Sequence, residues 1–378
     1  MFLETLALYH FRNYAQQEVS FSRGLNLLSG PNGHGKTNLL EAIHYGCLAH
    51  SQRTRKDKEL IRWTEKAFVL RLTGRLGSPD SIELEHSQSV EYMESGHKRV
   101  KVNGAESKRL SDLLGHFSVV SFSPEDLDLI RGGPQLRRRF LDVLLCQSSL
   151  EYLDTLRRYN QTLKQRNSLL KQMGKSGNKP FGDDVLEAYD ASLVEAGTCL
   201  TLFRRQAVSD LDPIAIMAYQ DISEASETLT LSLAGSVSES VDEASMRADF
   251  LRKLHSLRLP EREAGSTLAG PHREDLNLFL NDKPVRDFGS QGQKRSVALS
   301  LKLASARLLE SKNAQTPILL LDDVFAELDE GRRKRIGDLV RKQGQVFIAN
   351  PRAADLPFEA EKVIQLHRGA IVENSPYA

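Results

Sequence analysis

The sequence predicts an α/β fold in which a mixed sheet with helices and an antiparallel β subdomain are interrupted by an inserted helical arm. An apolar run at 25–28 leads into a glycine-rich segment and then into a helical pattern at 38–50. A long middle stretch, from about 136 to 219, has helical periodicity. After residue 272, short apolar runs and helical patterns alternate again. The arm therefore separates two halves of one α/β domain.

The composition is that of an ordinary globular protein. The chain has 378 residues, of which 27% are charged and 40% hydrophobic, with a formal net charge of +1. Mean hydropathy is negative, no run of 18 apolar residues is present, and the N-terminus lacks the pattern of a secretion signal. The three cysteines are too far apart in sequence for a CxxC-type zinc site or a disulfide framework. We expect a cytoplasmic protein without a membrane partner.

Alternating patterns in the first 110 residues predict the antiparallel subdomain. Apolar and polar residues alternate at 68–72, 82–84, 90–93 and 100–102, and Gly and Ser clusters bound these runs. Such short, regularly spaced runs are typical of a meander. We assign residues 1–125 to the first part of the α/β domain.

The middle stretch contains two heptad-like seams. Apolar residues follow steps of four and three from Tyr152 to Met173, where Arg166 fills the one polar position, and again from Leu186 to Ala207. A polar, glycine-containing turn lies between them, so the seams predict an antiparallel coiled-coil hairpin. Two amphipathic helices packed on a core would give the same periodicity. We assign the arm to residues 126–262 and the second part of the α/β domain to 263–378.

The segment from Gly30 to Thr37 matches the phosphate-binding pattern G-x-x-x-x-G-K-[ST]. It follows a strand and opens a helix, so backbone N–H groups and the helix dipole can surround phosphates. We expect Lys36 to reach the β- and γ-phosphates and the Thr37 hydroxyl to bind Mg²⁺. The pattern predicts ATP and Mg²⁺ as ligands.

A second motif supplies the acidic partner of this loop. Four apolar residues at 318–321 form a buried strand that ends in Asp322 and Asp323. Asp322 is placed to hold Mg²⁺, and Asp323 to act as the general base for an attacking water. Alone this motif is common in α/β proteins, and it gains meaning only beside the phosphate loop.

The segment from Ser290 to Gln293 directly precedes a strongly apolar helix predicted at 297–309. By itself it reads as a polar turn. Its order and its position ahead of the acidic strand resemble the signature of ABC-type ATPases. In that superfamily the signature contacts the γ-phosphate held by the opposite subunit.

Further segments narrow this resemblance. They are Phe11–Tyr14, Phe122–Leu127, Gly270–Asp275 and Ala326–Asp329, the last at the D-loop position. Together the motifs resemble the RecF family, SMC-like ABC-type ATPases of bacterial DNA repair and replication, over essentially residues 1–350. The resemblance adds Arg12 and Asn13 to the nucleotide-binding residues.

The resemblance also implies what the protein does. It implies an ATP-dependent homodimer that clamps DNA at gaps or single-strand/double-strand junctions. It further implies partnership with RecR, promotion of RecA loading and SOS induction. We expect a weak, DNA-stimulated ATPase that acts as a switch.

At three positions the sequence departs from the usual ABC-type motifs, which affects what the resemblance implies there. The Q-loop position carries Glu125 and Asp126 and no glutamine. The second acidic residue is Asp323, shorter than the usual glutamate, which favours slow hydrolysis. Asn350 stands where ABC transporters place a switch histidine. The roles of these residues stay open at this point.

Basic clusters are the candidates for DNA contact, although a charge run is most often a solvated face. Two clusters gain weight because one follows the phosphate-loop helix and the other flanks the base of the arm. Binding through them would be directed at phosphates and sensitive to salt. No interleaving of aromatic and basic residues suggests base stacking. The DNA candidates are Arg53, Arg55, Lys56, Arg137, Arg138 and Arg139.

Three other interpretations compete. A small-molecule kinase would leave the signature segment and the arm unexplained. In a transporter subunit the head is compact, whereas Lys36 and Ser290 lie 254 positions apart here. An ABC-type head of a nuclease-linked or other SMC-like ATPase is the nearest alternative.

The candidate site residues form three groups. The catalytic candidates are Lys36, Asp322 and Asp323, and the metal candidates are Thr37 and Asp322. The nucleotide-binding candidates are Arg12, Asn13, Gly30, Pro31, Asn32, Gly33, His34, Gly35, Lys36, Thr37, Ser290, Gln291, Gly292 and Gln293.

Overall fold

A computed structural model describes most of the chain. The described residues are 1–77, 83–107, 109–175, 183–223, 227–235, 237, 242–325, 329–352 and 356–372. Within them, no helix is both long and apolar enough to cross a bilayer. The chain divides into two compact units: Met1–Asp126, Met217–Ser226 and Arg295–Ala378 in the first, and Leu127–Ile216 and Glu227–Lys294 in the second.

The described strands are, in chain order, β1 (Phe2–Phe11), β2 (Tyr14–Ser20), β3 (Leu25–Ser29), β4 (Ala67–Leu76), β5 (Leu84–Met93), β6 (Lys98–Val102), β7 (Ala105–Ser107), β8 (Val119–Phe122), β9 (Leu229–Ala234), β10 (Asp275–Leu280), β11 (Lys283–Pro284), β12 (Ile318–Asp322), β13 (Val346–Asn350), β14 (Lys362–His367) and β15 (Ala370–Val372). The described helices are α1 (Lys36–Leu48), α2 (Asp128–Arg131), α3 (Pro134–Ser148), α4 (Leu150–Lys175), α5 (Asp183–Ser223), α6 (Glu243–Ser256), α7 (Arg258–Ala264), α8 (Val285–Phe288), α9 (Gln291–Asn313) and α10 (Glu330–Arg341).

The first unit contains an antiparallel sheet in the order β2-β1-β4-β5-β6-β7. In β4 the side chains of Phe68, Leu70 and Leu72 are buried, whereas Arg71 and Thr73 between and beyond them are exposed. This period of two buries one face of the sheet. The meander predicted from alternation is thus present, and the predicted strand at 82–84 contributes only its last residue to β5, since 82 lies outside the described residues.

The first unit also contains a mixed sheet in the order β15-β14-β3-β13-β12-β8. Five of these strands run parallel, and only β15 is antiparallel to its neighbour. The apolar residues of β12 and all of β13 are buried, as expected for parallel strands covered on both faces. The carboxyl ends of parallel strands meet at one edge, and this edge receives the phosphate loop and the acidic motif.

The second unit is mainly helical and carries a small sheet in the order β11-β10-β9. Helices α4 and α5 run antiparallel in a regular register. Arg204 Nε donates to Tyr152 Oη at 3.0 Å, and Arg166 Nε pairs with Asp190 at 2.7 Å. Arg166 lies fourteen residues after Tyr152, and Asp190 lies fourteen before Arg204, so the two helices stay matched over two heptads.

The helical pair is confirmed, but it is not a free-standing coiled coil. Phe250 of α6 belongs to the same buried cluster as residues of α4 and α5. Gly174 of α4 lies against the backbone of Arg262 in α7, because a Cβ there would stand 2.7 Å from its carbonyl oxygen. Both interpretations of the periodicity therefore apply: two paired helices, and an apolar stripe that also packs on a core. Residues 176–180 of the predicted turn lie outside the described residues.

The compact units divide the chain differently from the predicted domains. The prediction placed 263–294 with the α/β part, whereas these residues pack with the helical unit. The physical reason is a set of buried ion pairs: Glu274 pairs with Arg204 at 2.8 Å, and Asp275 pairs with Arg137 at 2.7 Å. Sequence periodicity does not reveal such long-range pairs.

Candidate nucleotide-binding site

The phosphate loop has a backbone that only glycine can adopt at two positions. Gly30 and Gly35 have φ values of 143° and 113°. A Cβ at Gly30 would lie 2.3 Å from the Leu366 carbonyl oxygen, and one at Gly35 would lie 2.7 Å from Tyr14 Oη. The hydroxyl of Tyr14 also donates to the Gly35 carbonyl at 2.9 Å. Gly30 is therefore required by the close backbone of Leu366 as well as by its conformation, and Gly35 by its conformation and by the nearby Tyr14 side chain.

Lys36 lies folded into the loop. Its ammonium donates to the carbonyl oxygens of Gly30 at 2.6 Å and Pro31 at 3.1 Å. Burial lowers the pKa of Lys36, and the carboxylates of Asp323 and Asp322 act in the opposite direction. A triphosphate would offer this buried cation charged acceptors, which bond more strongly than neutral carbonyls.

Thr37 and Asp322 lie together at the carboxyl edge of the mixed sheet. The Thr37 hydroxyl donates to the Asp322 carboxylate, and this bond together with nearby Arg53 partly offsets a rise in the pKa of Asp322. The rise comes first from burial, then from the negative charges of Asp323 and Glu125. A hydroxyl and carboxylates crowded in this way are the oxygen ligands that Mg²⁺ prefers, and a cation would relieve their repulsion. The residues present therefore fit Mg²⁺ held by Thr37 and Asp322.

Asp323 has a strained backbone. Its φ is 51°, in the left-handed region that non-glycine residues seldom adopt. Its N–H donates to the Ala349 carbonyl at 3.2 Å, and its own carbonyl accepts from Arg295 Nη2 at 3.3 Å. These bonds hold the chain in a sharp turn directly after β12, which positions the Asp323 carboxylate close enough to act on the charge of Lys36.

Asp322→Asn should raise the melting temperature of the nucleotide-free protein at about pH 8. The folded-state pKa of Asp322 is raised, so its ionisation costs stability once the pH exceeds the unfolded value of about 3.9. The gain should shrink as pH falls and vanish below about pH 3, where the carboxyl group is protonated in both states. Thermal unfolding across this pH range measures it.

Asp242→Asn is the matched control. Hydrogen bonds from Ser245 lower the pKa of Asp242, which caps the start of α6, and Asn caps a helix about equally well. The melting temperature of this control variant should not exceed that of the wild type at any pH. If Asp322→Asn melts below the wild type at about pH 8 without nucleotide, the crowded carboxylates do not carry the predicted cost.

The segment before the loop contacts the phosphate-loop helix. Arg12 forms two bonds of 2.9 Å to the carboxylate of Glu41 in α1, a side chain that is almost completely buried. Asn13 Oδ1 accepts from Asn38 Nδ2 at 2.8 Å. The predicted nucleotide contacts of Arg12 and Asn13 stay predictions. Tyr14 belongs to the same predicted segment, whereas Glu41 is a neighbour that the sequence did not single out.

The signature segment forms a capping box at the start of α9. Ser290 Oγ accepts from the Gln293 N–H at 3.2 Å, and Gln293 Oε1 accepts from the Ser290 N–H at 2.6 Å. The helix therefore begins at Gln291, six residues before the predicted start at 297. Arg131 donates to the Gln291 side chain, and Gln293 Nε2 donates to Glu227 at 2.6 Å. Ser290 and Gln291 are exposed, so their polar groups face outward at a helix N-terminus.

Known proteins resemble the chain over nearly its full length. The RecF/RecN/SMC N-terminal domain profile matches residues 2–368. The DNA replication and repair protein RecF of Halalkalibacterium halodurans is 42% identical over 92% of both chains. RecF of an Exiguobacterium species is 38% identical over 99% of this chain and all of that one. The chain belongs to the RecF family.

Solved structures agree with this family assignment. The recombination mediator protein RecF bound to ATP, described as part of the RecFOR pathway, superposes with a TM-score of 0.90 at 34% identity, covering 99% of this chain and 98% of that one. An Smc head bound to the C-terminal winged helix domain of ScpA has a TM-score of 0.56 at 17% identity over 100% and 98% of the chains, which shows the fold alone. The predicted ABC-type head with an inserted helical arm is therefore confirmed.

The positions that depart from the usual ABC motifs have structural roles in this RecF family chain. Asp126 accepts from the Ser123 N–H at 2.8 Å and pairs with Lys302 at 2.8 Å. Glu125 is exposed and adds its negative charge to the field at Asp322. Asn350 is buried at the end of β13 beside Ser29, and its amide donates to the Arg352 carbonyl at 2.6 Å. The D-loop residues 326–328 lie outside the described residues.

The structure contradicts one of the predicted DNA contacts of this RecF family chain, Arg137. Its side chain is only 5% exposed, and its guanidinium bonds to both carboxylate oxygens of Asp275 and to the carbonyls of Leu129 and Gly132. Such a saturated, buried group cannot meet a DNA phosphate, so we withdraw Arg137 as a DNA contact. The segment 137–139 is basic in sequence, but helix α3 directs the side chain of Arg137 inward.

The other basic candidates differ in how available their side chains are for contact with DNA. Arg138 donates to the Glu274 carbonyl, and Arg139 is half-buried. Arg53 bonds to Glu41 and Asn38 at 3.2 Å each, which places it at the phosphate-loop helix. Of the six candidates, only Arg55 and Lys56 are exposed and lack a side-chain partner among the described residues.

Proposed function

We propose that this chain is an ATP-dependent DNA-binding protein of recombinational repair and replication, acting in the cytoplasm. One observation carries the proposal: the Thr37 hydroxyl of the phosphate loop donates to the Asp322 carboxylate, and the capped signature at Ser290 is exposed. Relatives named as DNA replication and repair proteins, and a solved relative with bound ATP, support it.

The signature favours an ATP site that is shared between two copies. Ser290 and Gln291 are exposed at the first turn of a 23-residue helix, and the Ser290 side chain already caps that helix. The N–H groups that remain at this turn suit an anion brought by another molecule. The γ-phosphate of an ATP held by the phosphate loop of a second copy has that chemistry. ATP would then hold two heads together.

The residues of the phosphate loop and of the acidic strand have different roles in this proposal. Lys36 supplies positive charge to the phosphates, and Thr37 and Asp322 hold Mg²⁺. Bound Mg²⁺ would neutralise charge on the phosphate oxygens. Asp323 orients water as a general base, and its side chain, one carbon shorter than glutamate, makes hydrolysis slow. A slow, DNA-stimulated ATPase is suited to timing a clamp.

The clamp would hold DNA at gaps or single-strand/double-strand junctions and, with RecR, promote RecA loading and SOS induction. The RecFOR pathway of the solved relative supports this role. The exposed cations Arg55 and Lys56 lie in the same unit as the phosphate loop and suit contacts with DNA phosphates. Each phosphate contact releases counterions, so binding should weaken as salt rises.

Light scattering with and without Mg-ATP and gapped DNA tests the proposal. The molar mass of the wild-type protein should double with Mg-ATP and DNA together and remain that of a monomer without nucleotide. DNA affinity, measured by anisotropy of labelled DNA, should rise with ATP and fall linearly with the logarithm of the salt concentration. A protein that stays monomeric and binds DNA equally with and without ATP contradicts the clamp.

A further inference from the structure

Trp63 is the most exposed large hydrophobic side chain of the described residues, at 90%, and it is the single tryptophan of the chain. Among the described residues, none forms a hydrogen bond or a ring contact with its indole. A tryptophan normally buries a large apolar area, so full exposure leaves that area available to a ligand.

The turn that carries Trp63 is held in place on both sides. The Arg12 N–H donates to the Leu60 carbonyl at 2.7 Å, and the Arg62 N–H donates to the His10 carbonyl at 2.8 Å. The Glu65 N–H closes the turn onto the Arg62 carbonyl at 3.0 Å. The side chain of Leu60 is fully buried beneath it. The indole is thus presented on a preorganised turn, which lowers the entropy lost on binding.

The surroundings of Trp63 are positively charged. From 53 to 66 the chain carries six basic and three acidic residues. The acid Asp57 pairs with Lys98 at 2.7 Å, and Lys58 pairs with Glu94 at 2.8 Å. Arg55, Lys56 and Lys66 are exposed within the same segment. A large aromatic face among exposed cations complements a ligand that combines flat rings with negative charges.

We propose that Trp63 stacks on an unpaired base of single-stranded DNA whose phosphates are held by Arg55, Lys56, Arg62 and Lys66. This inference rests on the proposed DNA-binding function and deepens it by naming the strand and the contact. In a duplex the faces of the bases are covered by their neighbours, so an indole fixed on a short turn can stack only where a strand is unpaired. Trp63 would therefore read the single-stranded side of a junction without reading its sequence.

The position of the turn relates this contact to the nucleotide site. Arg12 Nη1 donates to the Glu59 carbonyl at 3.0 Å, and the same guanidinium binds Glu41 of the phosphate-loop helix. Arg53, at the start of the basic segment, binds Glu41 as well. The turn that carries Trp63 and the phosphate-loop helix are thus joined by hydrogen bonds through one buried carboxylate.

The fluorescence of Trp63 tests the proposal directly, because no other tryptophan contributes. The full-length protein with Mg-ATP is titrated with an oligothymidylate of about 16 nucleotides and, separately, with a duplex of equal length. The oligothymidylate should quench the emission, and the duplex should leave it nearly unchanged. Anisotropy of labelled DNA reports binding independently in both titrations.

Three variants complete the test. Trp63→Ala should weaken oligothymidylate binding about 5- to 150-fold, the effect of one lost stack, while duplex affinity stays within about twofold. Trp63→Phe, which keeps an aromatic face, should recover most of the loss. Arg55→Glu with Lys56→Glu should weaken both DNAs and reduce the salt slope. Unchanged ATP binding shows that each variant is folded.

The outcomes separate the two proposals. If labelled DNA binds but the emission does not change and Trp63→Ala binds oligothymidylate like the wild type, stacking is wrong although DNA binding stands. If in addition Trp63→Ala loses binding to a purified partner protein, the indole belongs to a protein contact and the inference is overturned. If neither DNA binds with ATP, the proposed function itself fails.

Discussion

A mixture of the Lys36→Met and Ser290→Arg variants should dimerise with ATP, although neither variant should do so alone. In a dimer with shared sites, the phosphate loop of one copy faces the signature of the other. The mixed dimer has one site with both defects and one with none, whereas each variant alone spoils both of its sites. One complete site should hold the mixed dimer together.

The expected loss in the single variants is large. Lys36→Met removes hydrogen bonds to a charged phosphate, worth about 1.5–3 kcal/mol, which is roughly 10- to 150-fold in ATP affinity. Ser290→Arg should leave ATP binding by the monomer nearly unchanged, because in the shared-site arrangement Ser290 contacts only the ATP held by the other copy. Light scattering measures mass, and a fluorescent ATP analogue measures binding.

Two controls make the same residue changes elsewhere in the chain. Lys342→Met and Ser256→Arg each change an exposed residue outside both motifs, and both proteins should dimerise like the wild type. Differently tagged copies of the two variants should copurify only with ATP. If the mixture remains monomeric under conditions in which the wild type dimerises, the shared-site arrangement is wrong.

Arg166→Leu should lower the free energy of unfolding by about 3–5 kcal/mol. The Arg166 side chain is completely buried and binds Asp190 and Glu261 at 2.7 Å each, and Nη1 donates to the Thr267 hydroxyl at 2.8 Å. Removing the cation leaves two buried carboxylates without their main partner, and this penalty exceeds the gain from a better-packed apolar side chain. Urea denaturation measures the loss.

Arg157→Leu is the matched control on the same helix. Arg157 is 43% exposed, and its ion pair with Asp154 spans 3.7 Å, so its loss should cost less than about 1 kcal/mol. Replacing Arg166, Asp190 and Glu261 together by leucine should recover much of the stability, because the three buried charges are removed together. Arg258 then loses Asp190 but keeps its ion pair with Glu187. Equal effects of Arg166→Leu and Arg157→Leu would contradict the buried network.

The residues of the phosphate loop could be predicted from sequence because their chemistry is local. Glycine spacing sets the turn, and the strand before and helix after set its direction, so Gly30 to Thr37 needed no knowledge of the rest of the fold. The acidic strand was predictable for the same reason, since a run of only four apolar residues before Asp322 and Asp323 favours a short buried strand over a helix. Placing Thr37 and Asp322 side by side followed from parallel strands sharing one edge.

The sequence predicts that the arm contains two paired helices, but it does not predict what else those helices pack against. Heptad spacing fixed which faces of α4 and α5 are apolar, yet the same stripe packs on α6 as well as on its partner helix. Arg166 read as a polar interruption in a seam, and only the approach of Glu261 from α7 explains why a cation is buried there. Partners more than 90 positions away leave no trace in a local pattern.

The sequence by itself determined the phosphate loop, the acidic strand, the signature and the family that these motifs resemble, because each depends on residues within a few positions of one another. Only the tertiary structure decided which charged residues are exposed and available to contact a ligand. It buried Arg137 against Asp275, tied Arg53 to Glu41, and turned Trp63 outward from a loop that read as merely basic. Exposure depends on what folds against a residue, and that information lies in distant parts of the chain.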